Sequence, residues 1–296
     1  MLLTSELLQV GYTPHTIATA VRRGLLIKVR RGAYRYPGEL TPERLHEVLI
    51  RATLAQASNP HVVSHTSAAV LHGLPVDRRR LDQVHLVQEG ERSRSASGGP
   101  VVRHQAKWVE ATTVEGIDVT TIESTVVDLA RRLPFGDGVA LADAALAQGI
   151  SRTALADVVR SQPGCHGNAA ALSVIAFADP RSESAGESHT RAAIRLAGQE
   201  VPDLQAVFHD DEGEMRTDFW WRERNLVGEF DGKVKYGRDH RHGHSLDEVM
   251  HRERRREIRL RRLGQETIRF CWADVLSIDA VARIVSQGFA LTQRRS

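Results

Sequence analysis

The stretch Thr217 to Lys233, TDFWWRERNLVGEFDGK, constrains the fold more than any other part of the chain. Two short runs rich in aromatic and aliphatic residues, Met215 to Trp221 and Leu226 to Phe230, flank the polar Arg222-Glu223-Arg224-Asn225. That is the pattern of a β-hairpin. Pairing Trp221 with Leu226 across the turn places Asp218 opposite Glu229. Cross-strand neighbours lie roughly 5 Å apart at Cβ, a separation at which two carboxylates repel unless a cation lies between them. Strand alternation also puts Glu229, Asp231 and Lys233 on one face. A few carboxylates with room for water and phosphate oxygens suit a hard divalent ion such as Mg2+. The competing reading is a solvated hairpin face.

The flanking segments predict an element order. Gly186-Glu187-Ser188 opens a helix through Ala197 that Gly198 stops, and Leu204 to His209 reads as a strand closed by the acidic turn Asp210 to Glu214. After the hairpin and a polar loop come a long helix from Ser245 to Leu263, a stopping Gly264 and a strand from Thr267 to Cys271. The order α-β-β-β-α-β, with an acid on the first helix, one in the second strand and an acid-x-acid or acid-x-Lys in the third, resembles the PD-(D/E)XK nuclease superfamily. Within it, Glu229-Phe230-Asp231-Gly232, the Arg-rich helix and the segment from Leu263 to Arg269 are similar to the very-short-patch-repair-like endonucleases. The resemblance spans residues 181 to 275. It implies that Asp218 with one or both of Glu229 and Asp231 holds Mg2+, that Glu187 orients the ion or its water, and that Lys233 sits near the scissile phosphate. Two registers stay open. If Glu229 is the acid of the motif, Asp231 stands in the lysine position; if Asp231 is that acid, Lys233 fits.

Phosphodiester hydrolysis needs a neutralised phosphate, an activated water and a stabilised leaving alkoxide, which a carboxylate-bound metal supplies together. A lysine adds a point charge or helps deprotonate the water. From Arg252 to Arg262 the long helix carries seven arginines against two glutamates. Arg252, Arg255, Arg256 and Arg259 fall along one broad face, where they would hold a nucleic-acid backbone, unless internal Glu-Arg pairs solvate the helix. His240-Arg241-His242-Gly243-His244 invites zinc, but the alternating spacing fits a phosphate-facing segment better.

At the other end, Leu2, Leu3, Leu7 and Leu8 read as a short helical face broken by Gly11. Thr13-Pro14 caps a second helix running to Arg23. Leu25 to Val29 and Ala33 to Tyr36 then form a hairpin around Arg30-Arg31-Gly32. Two helices and a basic hairpin make a winged helix-turn-helix. Its second helix would present His15, Thr16, Thr19, Arg22 and Arg23 to the major groove, with Lys28, Arg30, Arg31 and Arg35 meeting phosphates from the wing. No acidic residue interrupts Arg22 through Arg35, a charge footprint that points to DNA.

Residues 41 to 160 lack a catalytic motif. Pro42 to Ala57, Val63 to Leu74, Thr121 to Leu133 and Val139 to Gly149 read as helices, and Val84 to Val87 and Val101 to His104 as strands around a Ser/Gly-rich loop. Arg31-Gly32-Ala33-Tyr34, the Ser64 to Leu74 helix and Thr120 to Arg131 resemble the AbiEi family of antitoxins and transcriptional regulators from type IV toxin-antitoxin systems, over about half the chain. His65 and His72 read as packing or capping histidines rather than ligands. The expected fold class is α+β multidomain: a winged helix-turn-helix (1–40), an α/β AbiEi-like middle domain (41–160), a linker (161–182) and a PD-(D/E)XK nuclease-like αβββαβ domain (183–296).

Composition trims the alternatives. The chain has 296 residues, a formal charge of +3 and two cysteines, Cys165 and Cys271, without metal-type spacing, which suggests a reduced, cytoplasmic protein. No apolar run approaches the roughly 20 residues needed to span a bilayer. Two functions follow: a DNA-binding regulator carrying a Mg2+-dependent endonuclease, or a non-catalytic antitoxin that represses its own operon and neutralises a nucleotidyltransferase-like toxin.

Overall fold

A computed structural model describes residues 1–57, 61–90, 100–232 and 246–293; within the last range the side chains of 246–250 and 252 lie outside the description. The described chain is a mixture of α-helices and β-strands, with twelve α-helices and three sheets. Its contacts divide it into two compact units, Met1–Arg132 with Thr153–Ala171, and Leu133–Arg152 with Leu172–Ser296. No described helix is long and apolar enough to cross a membrane.

The first unit opens with β1 (Leu2–Leu3), α1 (Thr4–Gln9), α2 (Pro14–Arg22), β2 (Ile27–Arg30) and β3 (Ala33–Arg35). Leu2 and Leu3 belong to a strand, not to the first helix: they pair with Tyr34 and Ala33 and complete a sheet in the order β1-β3-β2. A two-residue strand has no periodicity of its own, and only its distant partner gives it a shape. Thr13 caps α2 by accepting from Thr16 N, Pro14 occupies the first turn, and Gly24 leaves the helix at φ +71°. Leu7, Ile17 and Leu26 form the small core between these elements.

Next come α3 (Pro42–Leu54), β4 (Val62–Val63), α4 (His65–Leu71), β5 (Val84–Glu89), β6 (Val101–Ala106), β7 (Ala111–Val114), β8 (Ile117–Thr120) and α5 (Ile122–Ala130). The strands form one sheet, β6-β5-β4-β8-β7, in which β5 runs parallel to β6 and β4 parallel to β8. Ile50 of α3 and Ala68 of α4 pack on Val63, Val84, Leu86, Val101, Ile117 and Val119 of the sheet. Further helices are α6 (Phe135–Ala147) in the second unit, α7 (Arg152–Ser161), nearly all in the first, and α8 (Asn168–Phe177).

The second unit continues through α9 (Ala185–Leu196), β9 (Asp203–Asp210), β10 (Gly213–Trp221), β11 (Leu226–Phe230), α10 (Leu246–Arg262), β12 (Glu266–Phe270), α11 (Trp272–Val275) and α12 (Ile278–Gln293). From α9 to β12 the order is α-β-β-β-α-β. The sheet runs β12-β11-β10-β9, antiparallel except for the parallel pair β11 and β12. Phe219, Trp221 and Leu226 face one side, against Ile194 of α9 and Val281 and Val285 of α12. Burying each large apolar side chain contributes about 1.5–3 kcal/mol, and Trp221 loses no hydrogen bond because its Nε1 donates to the Glu200 carbonyl at 2.6 Å. Val227 and Trp220, one residue out of step, pack the opposite way with Leu260 of α10.

Candidate functional site

Trp221 pairs with Leu226, Trp220 with Val227 and Phe219 with Gly228. The register read from the sequence is therefore the register of the hairpin, and one more step sets Asp218 level with Glu229. The turn is a 3-10 turn over Arg222–Arg224 closed by Asn225 at φ +48°, a left-handed position that Asn tolerates better than most residues. By alternation Asp218 and Glu229 share the side of the sheet that Leu260 of α10 covers.

Asp218 Oδ2 accepts from Phe230 N at 2.8 Å, a bond that crosses the hairpin and holds the carboxylate inward. Glu187, in the first turn of α9, is 7% exposed. Its Oε1 accepts from Ser184 Oγ at 2.8 Å, and its Oε2 accepts from Glu183 N and Gln205 Nε2, both at 2.9 Å. Glu187 thus serves as part of the helix cap while facing the acids. Gly186 makes the approach possible, since a Cβ there would stand 1.9 Å from Phe230 Cε1.

Burial raises the proton affinity of all three carboxyls above the ordinary carboxylate range, and Asp218 raises Glu187 and Glu229 further by charge repulsion. The opposing cation is Arg256 of α10. Its guanidinium lowers both Asp218 and Glu229, with Nη2 2.7 Å from Glu229 Oε1. Glu229 Oε1 is nevertheless buried without a hydrogen bond, and Arg256 Nη2 donates to the Arg216 carbonyl. Gln205, which sequence patterning missed, takes a left-handed φ of +56° inside β9. That strained backbone lets its amide reach Glu187, and no residue-type pattern in LQAVFHD announces it. Asp231 follows β11 and donates its N–H to the Phe270 carbonyl at 2.8 Å. Lys233, expected near the phosphate, lies outside the described residues, as do His240, His242 and His244.

The arginine face of α10 is compensated, contrary to the excess of charge counted along the helix. Arg255 pairs with Glu212 at 2.9 Å, Arg259 with Asp210, and Arg256 with Glu229. The partners come from the acidic β9–β10 turn and from β11, which a one-dimensional count cannot bring alongside. Between them lies a groove of about 610 Å3 lined by Glu212, Glu214, Arg216, Arg255, Arg256 and Arg259. The side chain of Arg252 is outside the description.

In the first unit, His15, Thr16 and Arg22 of α2, Arg23 just past its end, and Lys28 and Arg31 of the hairpin are exposed, and Thr19 is half-buried. The Thr16 hydroxyl accepts from Thr13 N at 2.7 Å and donates to Thr13 O, so it is occupied by the cap. Arg30 points inward and donates to Thr53 Oγ1 of α3 at 2.5 Å, and burial depresses its pKa. Arg35 donates to the Tyr36 and Gly38 carbonyls.

Residues 1–37 match the family described as transcriptional regulator, AbiEi antitoxin, which supports the DNA-binding regulator reading. Over 222 residues the chain is 31% identical to two Mycobacterium tuberculosis proteins, named uncharacterized protein MT2308 (strain CDC 1551 / Oshkosh) and uncharacterized protein Rv2248 (strain ATCC 25618 / H37Rv). The alignments take in 74% of this chain and 78% of each relative, and the chain belongs to the family of these two proteins.

Proposed function

We propose that this protein is a DNA-binding regulator of the AbiEi antitoxin type, reading DNA through an N-terminal winged helix-turn-helix, and that its C-terminal unit carries a PD-(D/E)XK, very-short-patch-repair-like site for Mg2+. The functional division into 1–40, 41–160, 161–182 and 183–296 belongs to the same proposal. The match over residues 1–37 carries the regulator reading. Support for the contact surface comes from α2, where His15 and Arg22 are exposed, from Arg23 just past its end, and from Lys28 and Arg31 on the hairpin. Positive groups on a helix and an adjacent strand pair match groove entry with flanking phosphate contacts.

For the second half, the donor set is the argument. Asp218 and Glu229 offer only hard oxygens, and the buried Glu229 Oε1 accepts no hydrogen bond although the Arg256 guanidinium lies beside it, so a metal ion there would take the place of that guanidinium. Bound Mg2+ would neutralise the phosphate and lower the pKa of a water. Asp218 and Glu229 would hold the ion, with Asp231 at the rim; Glu187, fixed by its cap, would orient them through its charge. Arg256 would turn from Glu229 to the phosphate backbone, joined by Arg255 and Arg259 released from their acids. A specific observation favours the alternative, a non-catalytic antitoxin that represses its operon and neutralises a nucleotidyltransferase-like toxin: Arg256 already balances Glu229 without a metal.

One experiment separates the parts. Wild type, Arg22→Ala/Arg23→Ala, Arg30→Ala and Asp218→Ala are compared for binding to DNA from the protein's own promoter region and for cleavage of plasmid, linear and single-stranded DNA with Mg2+ or Mn2+. Arg22→Ala/Arg23→Ala is expected to weaken binding about tenfold or more, while Arg30→Ala changes it little because its side chain is spent on Thr53. Cleavage that requires the metal and is lost in folded Asp218→Ala supports the nuclease. Binding without cleavage of any substrate leaves the regulator and removes the enzyme, and equal binding by all variants removes the winged-helix assignment.

A further inference from the structure

His65, His85 and His104 meet in the first unit although 39 residues separate the first from the last. His65 is the first residue of α4 and takes a left-handed φ of +52°. His85 lies in β5, whose neighbours Val84 and Leu86 enter the core, so alternation turns it to the other side. His104 lies in the adjoining parallel strand β6, where it pairs with Val87. His85 Nδ1 and His104 Nε2 are 2.9 Å apart. The rings of His65 and His104 stack with centroids 3.7 Å apart and 12° between planes. One ligand nitrogen from each ring lies within 4.8 Å of the others, and among the described residues this is the one trio of His, Cys, Asp or Glu side chains drawn so close. Among the described residues of the second unit, no three acids come within that separation.

The surroundings prepare nitrogens rather than charges. Ser64 Oγ sits 3.1 Å from His65 Nδ1, which orients the ring and leaves Nε2 for an ion, as outer partners do for metal-binding histidines. Burial first, then a neighbouring ring or rings (His104 and His85 for His65, His46 for His85, His85 for His104), and then Arg132, hold the proton affinity of the trio low, with His85 and His104 at about 4. At His85 the carboxylate of Asp82 acts in the opposite direction and outweighs Arg132. Low proton affinity favours the neutral imidazole, the form that ligates metals. The left-handed backbone at His65 is strain of the kind found where a side chain must be held in one place.

We infer that His65, His85 and His104 bind one divalent transition-metal ion, Zn2+ in the first place, with a fourth position open to water or an anion. Imidazole donors suit Zn2+, Ni2+ and Co2+, and not the oxygen-seeking Mg2+. Zn–N bonds of about 2.0–2.1 Å in a tetrahedron place ligand nitrogens about 3.3 Å apart. The His85–His104 contact then opens by about 0.4 Å and gives up its hydrogen bond to the ion, and the stacked His65 and His104 rings turn about χ2 so that their in-plane lone pairs converge. The positive charge of Arg132 favours an anionic fourth ligand.

The full chain, stripped with chelator, is titrated with Co2+ and Zn2+. The expected result is one equivalent of Co2+ giving visible d–d bands of a nitrogen and oxygen set, displaced by Zn2+. His85→Gln and His104→Gln should each weaken Zn2+ binding at least tenfold. His72→Gln, whose ring is bonded to the Thr120 carbonyl instead, and His240→Gln/His242→Gln/His244→Gln should retain the first equivalent. Absence of the bands in wild type, bands of thiolate ligation, or undiminished affinity in His104→Gln overturns the site. If the glutamine variants do not fold, the wild type decides: Zn2+ must protect the partly exposed His85 and His104 from diethyl pyrocarbonate, and unaltered modification of both rejects the proposal.

Discussion

Gly186 shows how one absent side chain places an acid. Gly186-Glu187-Ser188 is recognisable as the start of a helix, but nothing in those letters says that Phe230 will lie against the glycine. A Cβ at 186 would sit 1.9 Å from Phe230 Cε1 and 2.4 Å from Cδ1 and Cζ, so Gly186→Ala must push the ring or tilt α9. Overpacking of this kind costs about 1–3 kcal/mol, and urea denaturation should show that loss in Gly186→Ala. A wild-type midpoint would mean that Phe230 rotates away without cost. The candidate acids Asp218 and Glu229 were legible because side-chain alternation and a turn signal fix which residues oppose each other. Gln205 and Arg256 were not, since their roles depend on a strained backbone and on a helix that arrives from elsewhere in the chain.

Among the elements, those with strong local signals match the expectations closely: α2 with its Thr13-Pro14 start, α5 behind Thr121, and β11 over Leu226–Phe230. The β7–β8 hairpin, α7 and the C-terminal α12 have no counterpart among the elements expected from the sequence, and α4 begins two residues later than expected because Val62–Val63 pair as β4. The layer of α3, α4 and β5 is tied by a polar chain that no periodicity reveals. His46 Nδ1 bonds the Leu81 carbonyl at 2.8 Å, its Nε2 meets Ser67 Oγ at 2.9 Å, and Ser67 Oγ accepts from His85 N at 2.9 Å. These partners put the proton of His46 on Nδ1, so Ser67 donates to Nε2. Ser67→Ala leaves a buried acceptor and a buried donor unpaired and should destabilise by about 1–3 kcal/mol, measured by thermal or chemical unfolding at pH 7. Burial lowers the proton affinity of His46 below the ordinary 6.5. Its contribution is therefore complete above 6.5 and is lost progressively as pH falls from there through the depressed pKa of the folded ring, where the unfolded chain takes up the proton that the folded ring refuses. His46→Gln should remove this part of the acid sensitivity, and an unchanged slope of stability against pH would contradict the assignment.

On the scale of the whole molecule, two compact units with separate cores imply more than one cooperative block. Scanning calorimetry should resolve two transitions, with Ser67→Ala lowering one and Gly186→Ala the other; a single transition moved by both would show that the units unfold together. The sequence by itself determined the hairpin register, the α-β-β-β-α-β order and the basic character of α2 and the following strands, because helix caps, turns and alternation act over a few residues. Only the tertiary structure decided which charges meet. Arg256 and Glu229, Arg30 and Thr53, and the three histidines from α4, β5 and β6 are brought together by packing between distant segments, and local periodicity carries no record of that packing.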